Sequence, residues 1–593
     1  MKKHKDIIIS IILSVIMVFF IWHNFLIGGN NIIFVFILFT SFNIIKKTLA
    51  INNKKLNVIT IIISIMFTFI EIICKSVDKD YTLNNIINKW LIVNFIGYFT
   101  MCWTSIKWTY TLYEKANQNK TYMYNQKIIH NNYCFFIICF MLIFLAWIPY
   151  LLKYFPGIIT PDSYTQIEQT IGISELSDHH PIAHTAIIGV CINLGLMIFK
   201  NINFAIALYS IVSMILMAFI DALVLLYLRK KKVSLVVLGI LLVFYMFYPV
   251  NALYSITMWK DILFSGIFPI FLIFCNEIIF NTDEFFKYKK NMILFIIFSF
   301  LMIVLRHNGL YVVFLTIPFF YIVLKQYWKK LSIMIVSIIA INQIFNLIMF
   351  NGLKVKKGSV GEILSIPLQQ IARVEKEHRD ELTLEESDKI NVLFKFENIG
   401  DYYNPTLSDP VKEKFKMNYF SDNKIGLIKI WAKLLVKYPK DYVESFICNS
   451  YGYYYPEAKN WVVSRATMDH RDMGIERQSR INGKTVEKID SYIDKREIPL
   501  ISMMFSVGFV FWIIVICFGY KIYKSEYKYI FVYLPIFILW LTCVASPVFC
   551  EFRYAYPMFT TLGLYLSWNL MSVNQNKENS KEFKVWRIAW HIL

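Results

Sequence analysis

The sequence predicts an all-α polytopic membrane protein, and three observations predict it. Apolar residues make up 57% of the 593-residue chain and charged residues only 17%, against about 45–50% and about 25% in soluble domains. The excess is gathered into blocks close to the ~20 residues needed to cross ~30 Å of hydrocarbon. Lys and Arg cluster in alternate short connections between those blocks, as cytoplasmic loops do. In lipid only a helix satisfies its own backbone polar groups within one segment, so each block reads as a helix.

Taken in order, Lys2, Lys3 and Lys5 precede the first block (6–22) and place the N-terminus inside. The segment lacks a small-residue cleavage site and reads as an uncleaved first helix rather than a signal peptide. Blocks 31–45, 57–74, 90–108 and 132–152 follow, with basic loops at Lys46, Lys47, Lys54 and Lys55, and again at Lys115, Lys120 and Lys127. The loop from 153 to 183 then falls outside. The next block, 184–199, is short. Were it to span, the cluster Arg229-Lys230-Lys231-Lys232 would face outward; as a re-entrant or interfacial half-helix it leaves that cluster inside, and this option obeys the charge rule. Blocks at 203–228, 233–249, 261–280, 291–305, 309–324 and 331–350 alternate from there. The polar stretch 351–496 falls outside, and blocks 498–519, 529–545 and 556–572 return the C-terminal tail inside. The expected architecture is about 14 transmembrane helices, one half-helix and one mixed, largely helical external domain. It divides into N-terminal helices (1–130), a core carrying an external loop (131–350), the external domain (351–496), and the C-terminal helices with their tail (497–593).

Ten cysteines lie scattered with no C-x-x-C pair, which argues against a disulfide framework or a zinc site. A net charge of +20 is explained largely by cytoplasmic lysines, so nucleic acid is not implied. The external stretch holds no nucleotide-binding glycine loop. The Ile/Asn/Lys-rich vocabulary is associated with AT-rich bacterial genomes, and the expected location is a bacterial cytoplasmic membrane.

Five polar segments fall on one predicted face: Thr160-Pro161-Asp162-Ser163, Asp178-His179-His180-Pro181, Trp259-Lys260-Asp261, Arg306-His307-Asn308-Gly309 and Glu551-Phe552-Arg553-Tyr554. Ionisable groups gathered at helix ends facing one cavity mark a functional site by default. Asp162 could act as a general base, with partial burial raising its pKa, or cap the helix beginning at Ser163. His179 and His180 suit a phosphate or a divalent metal ion, with Asp162 and His180 as the candidate ligands; the alternative is a polar turn before a proline. Asp261 either pairs with Lys260 or favours the helix dipole. Lys260, Arg306 and Arg553 together suit an anionic ligand, whereas any one of them alone could snorkel to lipid headgroups. Tyr451-Gly-Tyr-Tyr-Tyr-Pro456, with Trp431 and Trp461, offers either a sugar-stacking surface or an interfacial belt.

Together these segments resemble the GT-C class of membrane glycosyltransferases, and the resemblance covers roughly 130–572. That class places a catalytic Asp in its first large external loop, a His-Pro before a juxtamembrane helix, a basic residue at a later external helix start, and an Arg-Tyr-x-x-Pro-like element before a late helix. The matching elements here are Thr160-Pro161-Asp162-Ser163, His179-His180-Pro181, Trp259-Lys260-Asp261 and Phe552-Arg553-Tyr554-Ala555-Tyr556-Pro557. About four helices precede the Asp loop where the common pattern has one, and no second acidic position is evident. Segments Ser365–Arg373 and Tyr451–Pro456 are also similar to those of a group of uncharacterised multi-pass proteins of Gram-positive bacteria. The resemblance implies an inverting glycosyltransferase using a polyprenyl-phosphate sugar donor and a cell-envelope glycan, lipid or protein acceptor. Asp162 would be its base, and Ser163, His179, His180, Lys260, Asp261, Arg306, Arg553 and Tyr554 would contact substrate. Two other classes fit the composition: a flippase or transporter of an envelope precursor, for which Asp221 is the main midplane charge, and a non-catalytic membrane scaffold.

Overall fold

A computed structural model describes residues 2–25, 31–118, 131–358, 364–417, 420, 423–462, 473–495, 499–546 and 548–571. Lys120, Lys127 and the C-terminal tail, placed inside by the charge pattern, lie outside the described residues. Among the described residues the regular elements are helices, and strand pairing is confined to isolated bridges. The membrane half begins with α1 (Lys2–Phe25), α2 (Asn31–Ala50), α3 (Lys54–Asp80), α4 (Leu91–Gln118) and α5 (Asn132–Lys153). A short α6 (Pro161–Thr170) leads to α7 (Ile182–Phe199), α8 (Ile202–Lys230), α9 (Leu235–Phe247), α10 (Pro249–Ser255) and α11 (Lys260–Phe280). Then come α12 (Lys289–Leu305), α13 (Asn308–Val323) and α14 (Trp328–Leu347).

The polar stretch carries α15 (Ser365–His378), α16 (Leu384–Leu393), α17 (Lys424–Lys437) and α18 (Pro439–Ser450). Two stretches there, 367–390 and 425–448, have the length and composition of single helices. Each is broken in two, the second before Pro439, which has no N–H to continue a helix. The chain closes with α19 (Val507–Tyr523), α20 (Tyr529–Val544) and α21 (Phe552–Asn569).

Among the described residues eight helices are long and apolar enough to cross a membrane, and the pair α9–α10, bent by 52°, would make a ninth. The bend falls at Tyr248-Pro249, where the proline again lacks the donor. α11 is the axis of the bundle: it is buried over 94% of its apolar window, against 11% for Ile32–Ala50 at the periphery.

α7 departs from the short block read in the sequence. It has 18 residues and is apolar enough to span. Its packing nevertheless crosses α8 instead of following it. His184 meets Tyr209, Gly195 lies against Ala205, and Phe199 meets Phe204. Between the first and last of these contacts α7 advances 15 residues while α8 moves by only five, whereas antiparallel helices at 1.5 Å per residue would advance equally. α7 and α8 therefore cross obliquely instead of forming an antiparallel pair. Val190, Met197 and Ile198 on its far side are exposed.

The two ends of the bundle differ chemically. At one end, Lys231 pairs with Glu277 at 2.8 Å, and Glu277 also accepts from Tyr227 (3.0 Å) and Asn281. Lys521 pairs with Glu526 at 2.7 Å in the same region of helix ends. These are ion pairs internal to the bundle. The opposite end carries α6, the start of α7 and the polar stretch. Residues 365–450 have an apolar core of their own, including Leu368, Ile371, Ile390, Phe394, Ile430 and Leu434. Glu444 of α18 accepts from Leu83 N (2.8 Å), Tyr451 donates to Asp78 (2.8 Å), and Trp540 Nε1 donates to Tyr453 O (3.0 Å), so this unit is tied onto the ends of α3 and α20.

That arrangement predicts which positions share a side. Single cysteines replacing Ile87, Ile173 and Leu384, each exposed at the polar end, should all react with an impermeant maleimide in intact cells under one condition. A cysteine at Lys287, exposed near the other end, should react only after permeabilisation. Reaction of Lys287→Cys together with the first three would show that the helices do not separate two compartments in this way.

Candidate catalytic and anion site at the polar end

The polar end is assembled from five helix termini and one extended crossing. The chain leaving α5 runs through Ile158, which bonds Ile256 O (2.9 Å) and receives Met258 N (3.0 Å). Gly157, at φ +147°, lies where any Cβ would overlap Ser210 Oγ, so the close approach of this loop to α8 requires glycine. α6 then starts at Pro161 with Thr160 as its cap. Thr160 N donates to Ser163 Oγ (3.2 Å), and Ser163 Oγ donates to Met258 O (2.7 Å). The cap is therefore Thr160, not Asp162, and the helix begins two residues before Ser163. Ser163 is fully buried and serves this turn. Asp162, freed from capping, projects from the first turn.

Asp162 Oδ2 accepts from Arg553 Nη1 at 2.8 Å, and Lys260 Nζ stands 3.9 Å from the same oxygen. Burial alone would raise the carboxyl, but the Arg553 and Lys260 charges outweigh it and hold Asp162 down at about 2. The expectation of a raised pKa is thus reversed, because two cations stand beside the carboxylate. Lys260 Nζ also donates to His180 Nδ1 at 3.1 Å. Burial and the Lys260 charge lower His180 to about 3, so its imidazole is neutral and accepts that bond. His179 is exposed, with its ring edge-on to His180 at 4.7 Å.

Asp261 does not pair with Lys260. It is fully buried and faces Arg306 Nε at 3.1 Å, in an ion pair without hydrogen-bond alignment. Arg306 Nη1 donates to Tyr554 O (3.1 Å), and its guanidinium lies over the Tyr554 ring at 4.4 Å. Arg553 lies over Trp259 at 4.7 Å, and Trp259 Nε1 donates to Thr160 Oγ1 (2.7 Å), closing a ring of contacts back to the α6 cap. Glu551, quoted with its segment in the sequence but not singled out, stands 3.3 Å from Arg553 Nε. Burial raises its pKa.

The site thus holds three cations, Lys260, Arg306 and Arg553, among three carboxylates, Asp162, Asp261 and Glu551. A metal ion does not fit here. The candidate ligands Asp162 and His180 both face the Lys260 ammonium, and among the described residues no group of three His, Cys, Asp or Glu is placed to hold one. The Tyr451–Tyr455 segment is no aromatic surface either. Tyr451, Tyr453 and Tyr455 are buried and anchor the polar unit, while Trp461 remains half exposed beside Trp259, with ring centroids 6.0 Å apart.

One element was missed altogether. His184, fully buried, donates from Nδ1 to Gln166 Oε1 (2.9 Å) and accepts at Nε2 from Tyr209 (2.7 Å), while Gln166 Nε2 donates to Thr185 (2.8 Å). This chain locks α6 to α7 and α8 behind Asp162. Gln166 lies four residues after Asp162 on α6, and His184 lies four after His180, but only the packing of α7 on α6 brings them together.

Residues 170–583, more than half of the chain, match the family described as "Family of unknown function (DUF6020)". No curated protein and no solved structure matches it.

Arg306 and Asp261 predict a distinctive stability pattern. Arg306→Ala leaves a fully buried carboxylate unpaired and should cost about 3–5 kcal/mol. Replacing both, Asp261→Leu with Arg306→Met, should recover most of that loss, since a well-packed apolar pair substitutes for a buried ion pair with little cost. Thermal unfolding in detergent measures both. If Arg306→Ala melts like wild type, Arg306 is not the clamp described here.

Proposed function

We propose that this chain, which belongs to the DUF6020 family, is a multi-pass membrane glycosyltransferase of the bacterial cytoplasmic membrane that transfers sugar from a polyprenyl-phosphate donor to a cell-envelope acceptor. The observation that carries the reading is the meeting of Asp162, Lys260 and Arg553 at the polar end of the bundle, with Arg553 hydrogen-bonded to the carboxylate and Lys260 within ion-pair distance of the same oxygen. A base and two cations at a membrane edge suit a reaction whose acceptor loses a proton and whose leaving group is a lipid phosphate. About fourteen helices are taken as spanning, with both termini in the cytoplasm and α7 lying along the outer interface. The shorter apolar helices α13, α19 and α20, of 16 to 17 residues, reach across where the bilayer thins or the neighbouring helices cover their ends.

In this mechanism Asp162 accepts the proton of an acceptor hydroxyl. The hydroxyl oxygen attacks the anomeric carbon from the face opposite the phosphate. The carbon–oxygen bond to phosphate breaks, and its electron pair leaves with the polyprenyl phosphate. Lys260 and Arg553 stabilise the charge that develops on that group, as preorganised cations do in a site shielded from water. Arg306 acts at one remove: with Asp261 it fixes the start of α11 and the backbone of Tyr554, and so the positions of Lys260 and Arg553. His180 orients Lys260 by accepting its hydrogen bond.

A conservative substitution tests the reading. Asp162→Asn keeps the volume and an acceptor oxygen but cannot take a proton. It should insert and fold normally yet transfer sugar at least about a hundredfold more slowly, the low end of what general base catalysis contributes. The assay compares envelope glycans by mass spectrometry in a deletion strain complemented with wild type or with Asp162→Asn. Full restoration by Asp162→Asn would remove Asp162 as the base, and an unaltered glycan profile in the deletion strain would remove the glycosyltransferase reading.

A further inference from the structure

The proposed reaction asks Arg553 to hold a departing phosphate, yet in the empty site Arg553 already holds a carboxylate. Its Nη1 is 2.8 Å from Asp162 Oδ2, and its Nε is 3.3 Å from Glu551 Oε1. Lys260 is divided in the same way, 3.1 Å from His180 Nδ1 and 3.9 Å from Asp162 Oδ2. The third cation has no freedom to respond. The side chains of Arg306 and Asp261 are 6% and 0% exposed, and Arg306 is further held by Tyr554. Asp162, Lys260 and Arg553 retain 29%, 16% and 16% exposure, so solvent reaches these three while it hardly reaches the Arg306–Asp261 pair.

Two further features make Arg553 able to change partners. Its guanidinium rests on the face of Trp259 at 4.7 Å, a contact that has no preferred direction in the ring plane and survives a shift of the fork. It also makes a single, not a bidentate, hydrogen bond with Asp162, whereas a phosphate offers the paired oxygens that an arginine fork grips best. The carboxylate is thus the weaker of the two anions for this guanidinium.

We propose that Asp162 and the phosphate of the lipid donor compete for Arg553 and Lys260, so that the carboxylate is released as a proton acceptor only when a phosphate occupies the site. The identity of that phosphate rests on the glycosyltransferase reading; the competition itself rests on the geometry. In the empty protein the two cations keep Asp162 fully ionised and a poor base. When they turn to the phosphate, the burial that opposes them is left to raise the carboxyl, and the base becomes effective at the moment a leaving group is present. A water molecule entering the empty site meets no such base.

The competition can be measured without knowing the sugar or the acceptor. The full-length chain in nanodiscs is titrated with undecaprenyl phosphate and, as the control, with undecaprenol, which lacks the phosphate; native mass spectrometry reads occupancy. Wild type should bind the phosphate roughly tenfold or more tightly than the alcohol, the worth of one charge-assisted contact. Asp162→Asn removes the internal competitor, so it should bind undecaprenyl phosphate about three- to tenfold more tightly than wild type, with undecaprenol unchanged. Arg553→Gln should lose most of the phosphate preference, and Asp162→Asn combined with Arg553→Gln should show no gain over Arg553→Gln alone. If Asp162→Asn binds the phosphate no better than wild type while the preference for phosphate persists, the competition is wrong and the lipid-phosphate site stands. If wild type does not distinguish phosphate from alcohol, the lipid-phosphate reading fails, and the competition fails with it. Lys260→Gln provides a second, independent arm: it should weaken phosphate binding, and a variant binding as tightly as wild type would overturn the shared-cation geometry.

Discussion

Arg306 and Asp261 meet 3.1 Å apart, almost wholly out of water. Taking two such charges out of water costs several kcal/mol each, and the cost is recovered only if the partners stay together. That constraint fixes more than itself. Arg306 ends α12, Asp261 begins α11, and Tyr554, whose carbonyl and ring Arg306 also holds, begins α21. Three helix ends are thereby brought to one level. Lys260 and Arg553 are immediate neighbours of Asp261 and Tyr554 in the chain, so the pair decides where these two cations stand.

The second determinant is the α6 turn. Thr160, Ser163, Met258 and Trp259 close a hydrogen-bonded ring that sets Asp162 facing those cations. Behind it, the His184–Gln166–Tyr209 chain ties α6 to α7 and α8. The result is a charge-balanced cluster in which each carboxylate has a cation and no cation is idle. Such a cluster is stable when empty, and it can take an anion only by exchanging partners. That property links the architecture to the proposed order of events, donor first and proton transfer second.

The polar unit contributes support more than chemistry. Its tyrosines, which in sequence could have formed a binding surface, are spent on docking to α3, α19 and α20: Trp512 and Trp540 donate to the backbone of Tyr454 and Tyr453. Trp461 is the exception, half exposed next to Trp259.

The membrane class, the all-helical fold and the gathering of polar segments are legible in the sequence, because hydrocarbon imposes a one-dimensional rule: long apolar runs must be helices, and charges must collect at their ends. Hence Asp162, Lys260, Arg306 and Arg553 could be picked out by type and position alone. Pairing was not legible. Which carboxylate Lys260 faces, that Thr160 rather than Asp162 caps α6, that Asp162 is held ionised rather than raised, and that His184 supports it all depend on groups separated by up to 391 residues along the chain. The angle between α7 and α8 was closed to the sequence for the same reason: 18 apolar residues permit both a crossing and an interfacial path, and the contacts of α7 with the first turns of α8 are what set the helices oblique to one another. Periodicity and charge patterns report what each segment needs from its surroundings; which partner meets that need is a matter of three-dimensional distance, and the chain order does not contain it.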